Sequence, residues 1–288
     1  MAVYKRAYRG YSGELTPAWS RFLILTRYAY RGLFKSRALT LMFMACFIPF
    51  LGYVAALYLN HNASLISMIH FKTAGGSLFD IDYKFFMSYL GTEFGMAFLL
   101  TAFIGPGLIS PDLANNGLPL YLCRPFSRTQ YVLGKFMVIA ALLSYITWIP
   151  ALLLFAIQSS LAGVAWMWAN LWMVRAIFLG SWILILVLAF LALALSAWVK
   201  WKPVAGALLL GVMFLGAGLG VAIDAVLRTR MGGLINVGQL ISIVWFDLFH
   251  QSSEFGISPA QAWIALLLIC GACLALLARK IRAFEVVK

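Results

Sequence analysis

Charge is the scarcest thing in this chain. Asp, Glu, Lys and Arg make up 11% of its 288 residues, against about 25% in a soluble domain. So few charges cannot solvate the surface of a 31.9 kDa particle, which excludes a water-soluble globule and a disordered chain. Acidic residues are rarest, nine against 22 Lys and Arg. The four cysteines imply no disulfide framework: Cys46, Cys270 and Cys273 fall inside apolar runs and Cys123 in a connecting segment. No G-x-x-x-x-G-K-S/T phosphate loop occurs, so ATP binding of that kind is not expected of this chain. Nor is there an H-E-x-x-H, a G-x-S-x-G or a Cys/His cluster with zinc spacing, and no metal site is expected. Alternation over about ten residues, the signature of a membrane barrel, is missing as well. No cleavable signal peptide is read: the first long apolar run starts near Ala38, behind eight basic residues, and is too long for one.

What the chain does have is apolar surface: 64% hydrophobic residues, 15% aromatic, and a mean hydropathy of +0.93. Lipid is its solvent. Six apolar runs reach the length of about 20 residues that a crossing needs, at roughly 38–59, 89–109, 132–157, 176–198, 204–223 and 260–278. Backbone in hydrocarbon must satisfy its own polar groups, so these runs are helices. The expected fold is an all-α polytopic membrane protein forming a single transmembrane domain over residues 1–288.

Basic residues orient it. With the N-terminus inside, 17 of the 22 Lys and Arg lie in inner segments, and Lys72, Lys84, Arg175, Arg228 and Arg230 lie outside. The positive-inside rule therefore puts both termini in the cytoplasm. The formal charge of +13 then belongs to orientation and anionic lipid headgroups rather than to nucleic acid. Trp166, Trp168 and Trp172 before the fourth run, and Trp198 and Trp201 after it, suit the aromatic belts of a bilayer interface.

Segments between the runs carry the functional signals. Residues 16–37 read as an amphipathic helix lying in the membrane surface, an elbow before the first span, with Thr16 as N-cap and Pro17 as first helical residue. Trp19, Phe22, Leu23, Ala29, Tyr30 and Leu33 share its apolar face, while Arg27, Arg31 and Lys35 form a basic stripe with Arg21 nearby. Residues 110–130 are too well specified for a plain connection. Ser110 and Pro111 read as an N-cap and first turn, with Asp112 at the positive end of a short cytosolic helix. Asn116, Gly117 and Pro119 interrupt it, and Ser127 with Gln130 forms a capping box opening the third span.

The outer segments are less informative. His61, His70, Asp80 and Asp82 match no ligand motif and read as a solvated loop. Residues 225–259 hold an apolar middle, 234–249, expected to form one or two half-inserted or interfacial helices. Glu93 and Asp224, ionisable and close to span ends, are the candidate substrate contacts. Gly91 with Gly95 and Gly216 with Gly220 form G-x-x-x-G pairs, either for packing within the chain or for a dimer interface. Cys270 and Cys273 read as small packing residues within a span.

The run IGPGLISPDLANNGLPLYLCRPFSRTQYVLGKF resembles the second-to-third-span region of ABC-2 type transporter permeases, the transmembrane subunits of ATP-binding cassette transporters. The matching positions are Asp112, Gly117, Leu118, Leu120, Tyr121, Leu122, Arg124, Pro125, Ser127, Arg128, Tyr131, Gly134 and Lys135. This motif covers about a tenth of the chain; the amphipathic helix, the six spans and the inner termini match at the level of architecture. The resemblance implies a bacterial inner-membrane export subunit that pairs with a second copy or a related permease. Two separate cytosolic ABC ATPases would bind it, with ATP and Mg2+ held on those partners. Its coupling contacts would be Pro111, Asp112, Leu113, Asn115, Asn116, Gly117, Leu118, Leu120, Tyr121, Arg124 and Arg128. Where the family often has a charge-rich turn, this chain has Asp112 followed by Ala114, Asn115 and Asn116. Two other readings remain: a membrane-embedded enzyme or assembly factor using the outer loops with His61, His70 and His250, or a secondary carrier.

Overall fold

A computed structural model describes residues 17, 20–62, 81–115, 117, 127–228, 230–253 and 255–281. The described residues form helices α1 (Arg21–Leu33), α2 (Arg37–Ala45), α3 (Ile48–His61), α4 (Tyr83–Ile104), α5 (Pro106–Ala114), α6 (Arg128–Ile146) and α7 (Trp148–Ala162). There follow α8 (Val164–Asn170), α9 (Trp172–Trp198), α10 (Lys202–Leu227), α11 (Val237–Leu248) and α12 (Pro259–Lys280). Six segments are long and apolar enough to cross a bilayer: Arg37–His61, Tyr83–Ala114, Arg128–Ala162, Val164–Trp198, Lys202–Leu227 and Pro259–Lys280. Each contains one of the six expected runs, and the architecture is that of a multi-pass membrane protein.

Breaks inside the spans have local causes. Pro49 sits in the first turn of α3 and Pro106 in that of α5, where a missing N–H costs nothing. Each lies at the start of a new helix within one apolar segment. The second span thus runs 32 residues, about 48 Å at 1.5 Å per residue, well beyond a hydrocarbon core of about 30 Å.

α9 is the axis of the bundle, buried along Leu184, Ile185, Leu188, Ala189 and Leu193 and packed by α4, α5, α6, α10, α11 and α12. The first span sits at the periphery, touching α4 and α7. Within the apolar stretch 234–249 lies α11, a 12-residue helix capped by Asn236, with Leu240, Ile241, Val244 and Trp245 buried. Its Trp245 indole donates to the Gly180 carbonyl of α9 at 3.0 Å, so it is wedged into the bundle rather than spread on its surface.

One small-residue pair is resolved in favour of packing within the chain. The Gly220 carbonyl and the Gly232 backbone meet so closely that neither position has room for a Cβ, and Ile235 presses on Gly216 in the same way. Gly216 and Gly220 therefore seat the turn before α11.

Candidate functional site

At the end of the bundle where α1, α5, α6 and the C-terminus of α9 meet lie the described residues of the stretch 104–136, namely 104–115, 117 and 127–136. There the sequence reading needs correcting. Ser110 is not an N-cap and Pro111 not a first-turn residue; α5 starts five residues earlier, at Pro106, and Pro111 lies inside it. Asp112 is therefore near the helix C-terminus, where the dipole does not favour an anion. A cation holds it instead. Lys135 Nζ of α6 lies 2.8 Å from Asp112 Oδ2, and the Tyr131 hydroxyl donates to the same oxygen at 2.7 Å. Tyr131 and Lys135 are four apart and so share a helix face; the ammonium also sits 5.4 Å from the Tyr131 ring centroid.

A second tie fixes α5 to α9. The buried Ser196 hydroxyl lies 3.2 and 3.0 Å from the backbone N–H groups of Ile109 and Ser110, and donates to the Pro106 carbonyl at 3.1 Å. Ser110 Oγ returns a bond to the Ser196 carbonyl at 2.9 Å. A side chain entering a helical ladder in this way stabilises a local bend, and here it welds the extension of the second span to the end of the fourth.

α1 completes the arrangement by lying against α6. The Thr26 hydroxyl donates to the Gly134 carbonyl at 3.0 Å and the Tyr30 hydroxyl to that of Val138 at 3.0 Å. A Cβ on Gly134 would meet the Phe22 carbonyl and Leu25 at about 3.0 Å, so glycine is what permits the approach. Burial, with a smaller push from Tyr145, raises the Tyr30 phenol to about 12. Of the stretch 16–37, α1 covers Arg21–Leu33 with Ser20 at its N-cap, and the expected N-cap Thr16 lies outside the described residues. Phe22, Ala29, Tyr30 and Leu33 of the expected face are half-buried, and the face differs from the expected one at Leu23. Leu25 and Thr26 pack inward while Leu23 is exposed, because two hydroxyl bonds choose the contact. Arg27, Arg31 and Lys35 are exposed, and Arg21 half-buried.

Tyr131, Gly134, Lys135 and Asp112 thus come together, each with a distinct part. Leu113 packs half-buried against the core, Asn115 closes α5, Gly117 lies beside the Asp112 backbone, and Arg128 is the exposed first residue of α6. The capping box of Ser127 and Gln130 stands as expected. Trp19, Asn116, Leu118, Leu120, Tyr121 and Arg124 lie outside the described residues, as does His70. Ser196, the residue that orders α5, was missed; it is 86 positions from Ser110 and carries no local signal.

The two candidate substrate residues differ. Asp224 accepts the Gly232 N–H at 2.6 Å and so holds the turn before α11. Glu93, in the second span, is fully buried beside Tyr89 and Cys46. The Tyr89 hydroxyl spends its hydrogen on the Ile146 carbonyl at 3.1 Å, leaving both Glu93 oxygens without a hydrogen bond. His61 bonds the Leu57 carbonyl of its own helix, and His250 stacks edge-on against Trp172. Among the described residues no group of three or more His, Cys, Asp or Glu is placed to hold a metal.

No family model matches the chain, and no curated protein matches it.

Proposed function

We propose that the chain is the membrane-spanning permease subunit of an ABC-2 type transporter, exporting an amphipathic, hydrophobic or lipid-linked substrate. Paired ATPase subunits, separate chains carrying ATP and Mg2+, supply the drive, and a second copy or related permease completes the pathway. The observation that carries this reading is the double anchorage of α5. It is held to the third span by Asp112, Lys135 and Tyr131 and to the fourth by Ser110 and Ser196. A push on residues 111–117 therefore reaches two spans at once, which is what a coupling element must do. Such a device is a two-state element biased by ligand bound to another chain. In this reading the end carrying α5 faces the cytosol of a bacterial inner membrane with both termini, as the excess of Lys and Arg in the inner segments of the sequence supports.

The test is co-purification with the ATPase encoded alongside it, together with transport-coupled ATP hydrolysis. Replacing Leu118 and Leu120 with Asp is expected to abolish both while helical content stays unchanged. Unaltered binding and hydrolysis, or transport by the purified chain alone, would overturn the reading.

A further inference from the structure

At the opposite end of the molecule the first and second spans diverge and leave a groove of about 1000 Å³ between α3 and α4. From Asp82, the N-cap of α4, to Met96 its wall spans 15 residues, about 20 Å. That matches one leaflet of hydrocarbon, about 15 Å, plus a headgroup. One wall is apolar and partly small-residued, with Ala45, Ile48, Pro49, Gly52 and Ala56, and it opens sideways: Ile48 is 66% exposed.

The hydroxyls of the other wall are already spent. Ser88 pairs with Tyr53 at 2.8 Å and Thr92 donates to the Ser88 carbonyl at 3.0 Å. The body of the groove therefore asks for hydrocarbon.

Its mouth asks for charge of both signs. Asp82 and Lys84 are two residues apart, exposed, and joined by no salt bridge to each other or to another described residue. Asp82 is exposed and its Oδ1 accepts the Tyr83 N–H at 2.6 Å, and Lys84 Nζ rests 5.9 Å from the Tyr83 ring centroid.

We infer that this groove binds one zwitterionic phospholipid, with acyl chain between the first and second spans, phosphate on Lys84 and headgroup ammonium on Asp82. A balanced pair of opposite charges selects a zwitterion over an anion. A second copy of the chain is the competing occupant, but a twofold axis brings a concave surface against itself, which encloses the space without filling it. The site needs no ATPase and stands whether or not the proposed function does.

The full-length chain, exchanged into detergent and titrated with phosphatidylethanolamine, phosphatidylglycerol or diacylglycerol, is read by native mass spectrometry. Phosphatidylethanolamine should be retained over phosphatidylglycerol by about threefold, the size of an exposed charge-pair effect, and diacylglycerol least. Asp82→Asn keeps the helix cap, since Asn caps as well as Asp, and should erase that preference; Lys84→Gln should weaken both phospholipids. A Cβ on Gly52 meets nothing within 4 Å, so Gly52→Phe fills the groove without disturbing the fold and should abolish retention, with circular dichroism unchanged. Equal or greater retention of phosphatidylglycerol by the unaltered chain, or undiminished retention by Gly52→Phe, overturns the inference. So does a Gly52→Phe variant that merely splits a dimer, which would make the occupant a second copy.

Discussion

Lys135 and Asp112 face each other across 2.8 Å with only 8% and 19% of their side chains exposed. With the Tyr131 hydroxyl on the same carboxylate, this pair ties α5 to α6. Breaking a buried pair on one side leaves the other charge stranded, which costs more than the pair contributes. Asp112→Ala should therefore destabilise by about 3 kcal/mol, read as a fall in thermal midpoint in detergent. The double variant Asp112→Leu with Lys135→Met should recover most of the loss. Additive losses in the double variant would show that the two charges do not interact.

The second tie is tested separately. Ser196→Ala removes the bonds to the Ile109 and Ser110 N–H groups and to the Pro106 carbonyl. The expected penalty is about 1–3 kcal/mol, and hydrogen exchange should quicken at Ile109 and Ser110 ahead of the rest of α5. In the proposed transporter the same variant should lower coupling more than ATPase binding, because the docking surface is intact and its linkage to the fourth span is not.

Ser196 also shows where sequence reading stops. A Ser-Pro-Asp run looks alike whether it opens a helix or lies inside one that began five residues before. The deciding contact comes from 86 positions away. By contrast the six spans were legible, because hydrocarbon imposes length and apolarity on each segment by itself. Ser127 and Gln130 were legible too, their capping box being wholly local. The face α1 presents was half legible. Its basic stripe is set by solvent, but its inward face is set by which carbonyls of α6 lie in reach of Thr26 and Tyr30. Of the candidate substrate residues, Asp224 took a structural part that only the close approach of Gly220 and Gly232 reveals.

The Tyr30 contact predicts a pH step. An ordinary tyrosine ionises near 10, whereas burial pushes this phenol up to about 12. The protonated form is the one that bonds the Val138 carbonyl, so its contribution is fully present below pH 10 and is lost as pH rises through 12. Protection of α1 from hydrogen exchange should hold to pH 10 and then fall. Tyr30→Phe should lose part of that protection at neutral pH and show no further step. A step that persists in Tyr30→Phe would assign it elsewhere.

Glu93 is buried at a cost in stability. Its two oxygens are buried with no hydrogen bond, and an unsatisfied buried polar group costs about 1–3 kcal/mol. Replacing it with Met, of similar length and without polar atoms, should therefore raise the thermal midpoint. A residue kept at such a cost within a membrane span is a functional candidate, and active sites commonly sacrifice stability in this way. If the carboxyl serves the transported molecule, Glu93→Met gains stability while transport falls at least tenfold, and Glu93→Gln, which keeps the shape and one acceptor, loses less. Should Glu93→Met be both more stable and fully active, the carboxyl has no part in transport. Should it be less stable, Glu93 is held by contacts beyond Tyr89 and Cys46, and its burial is structural.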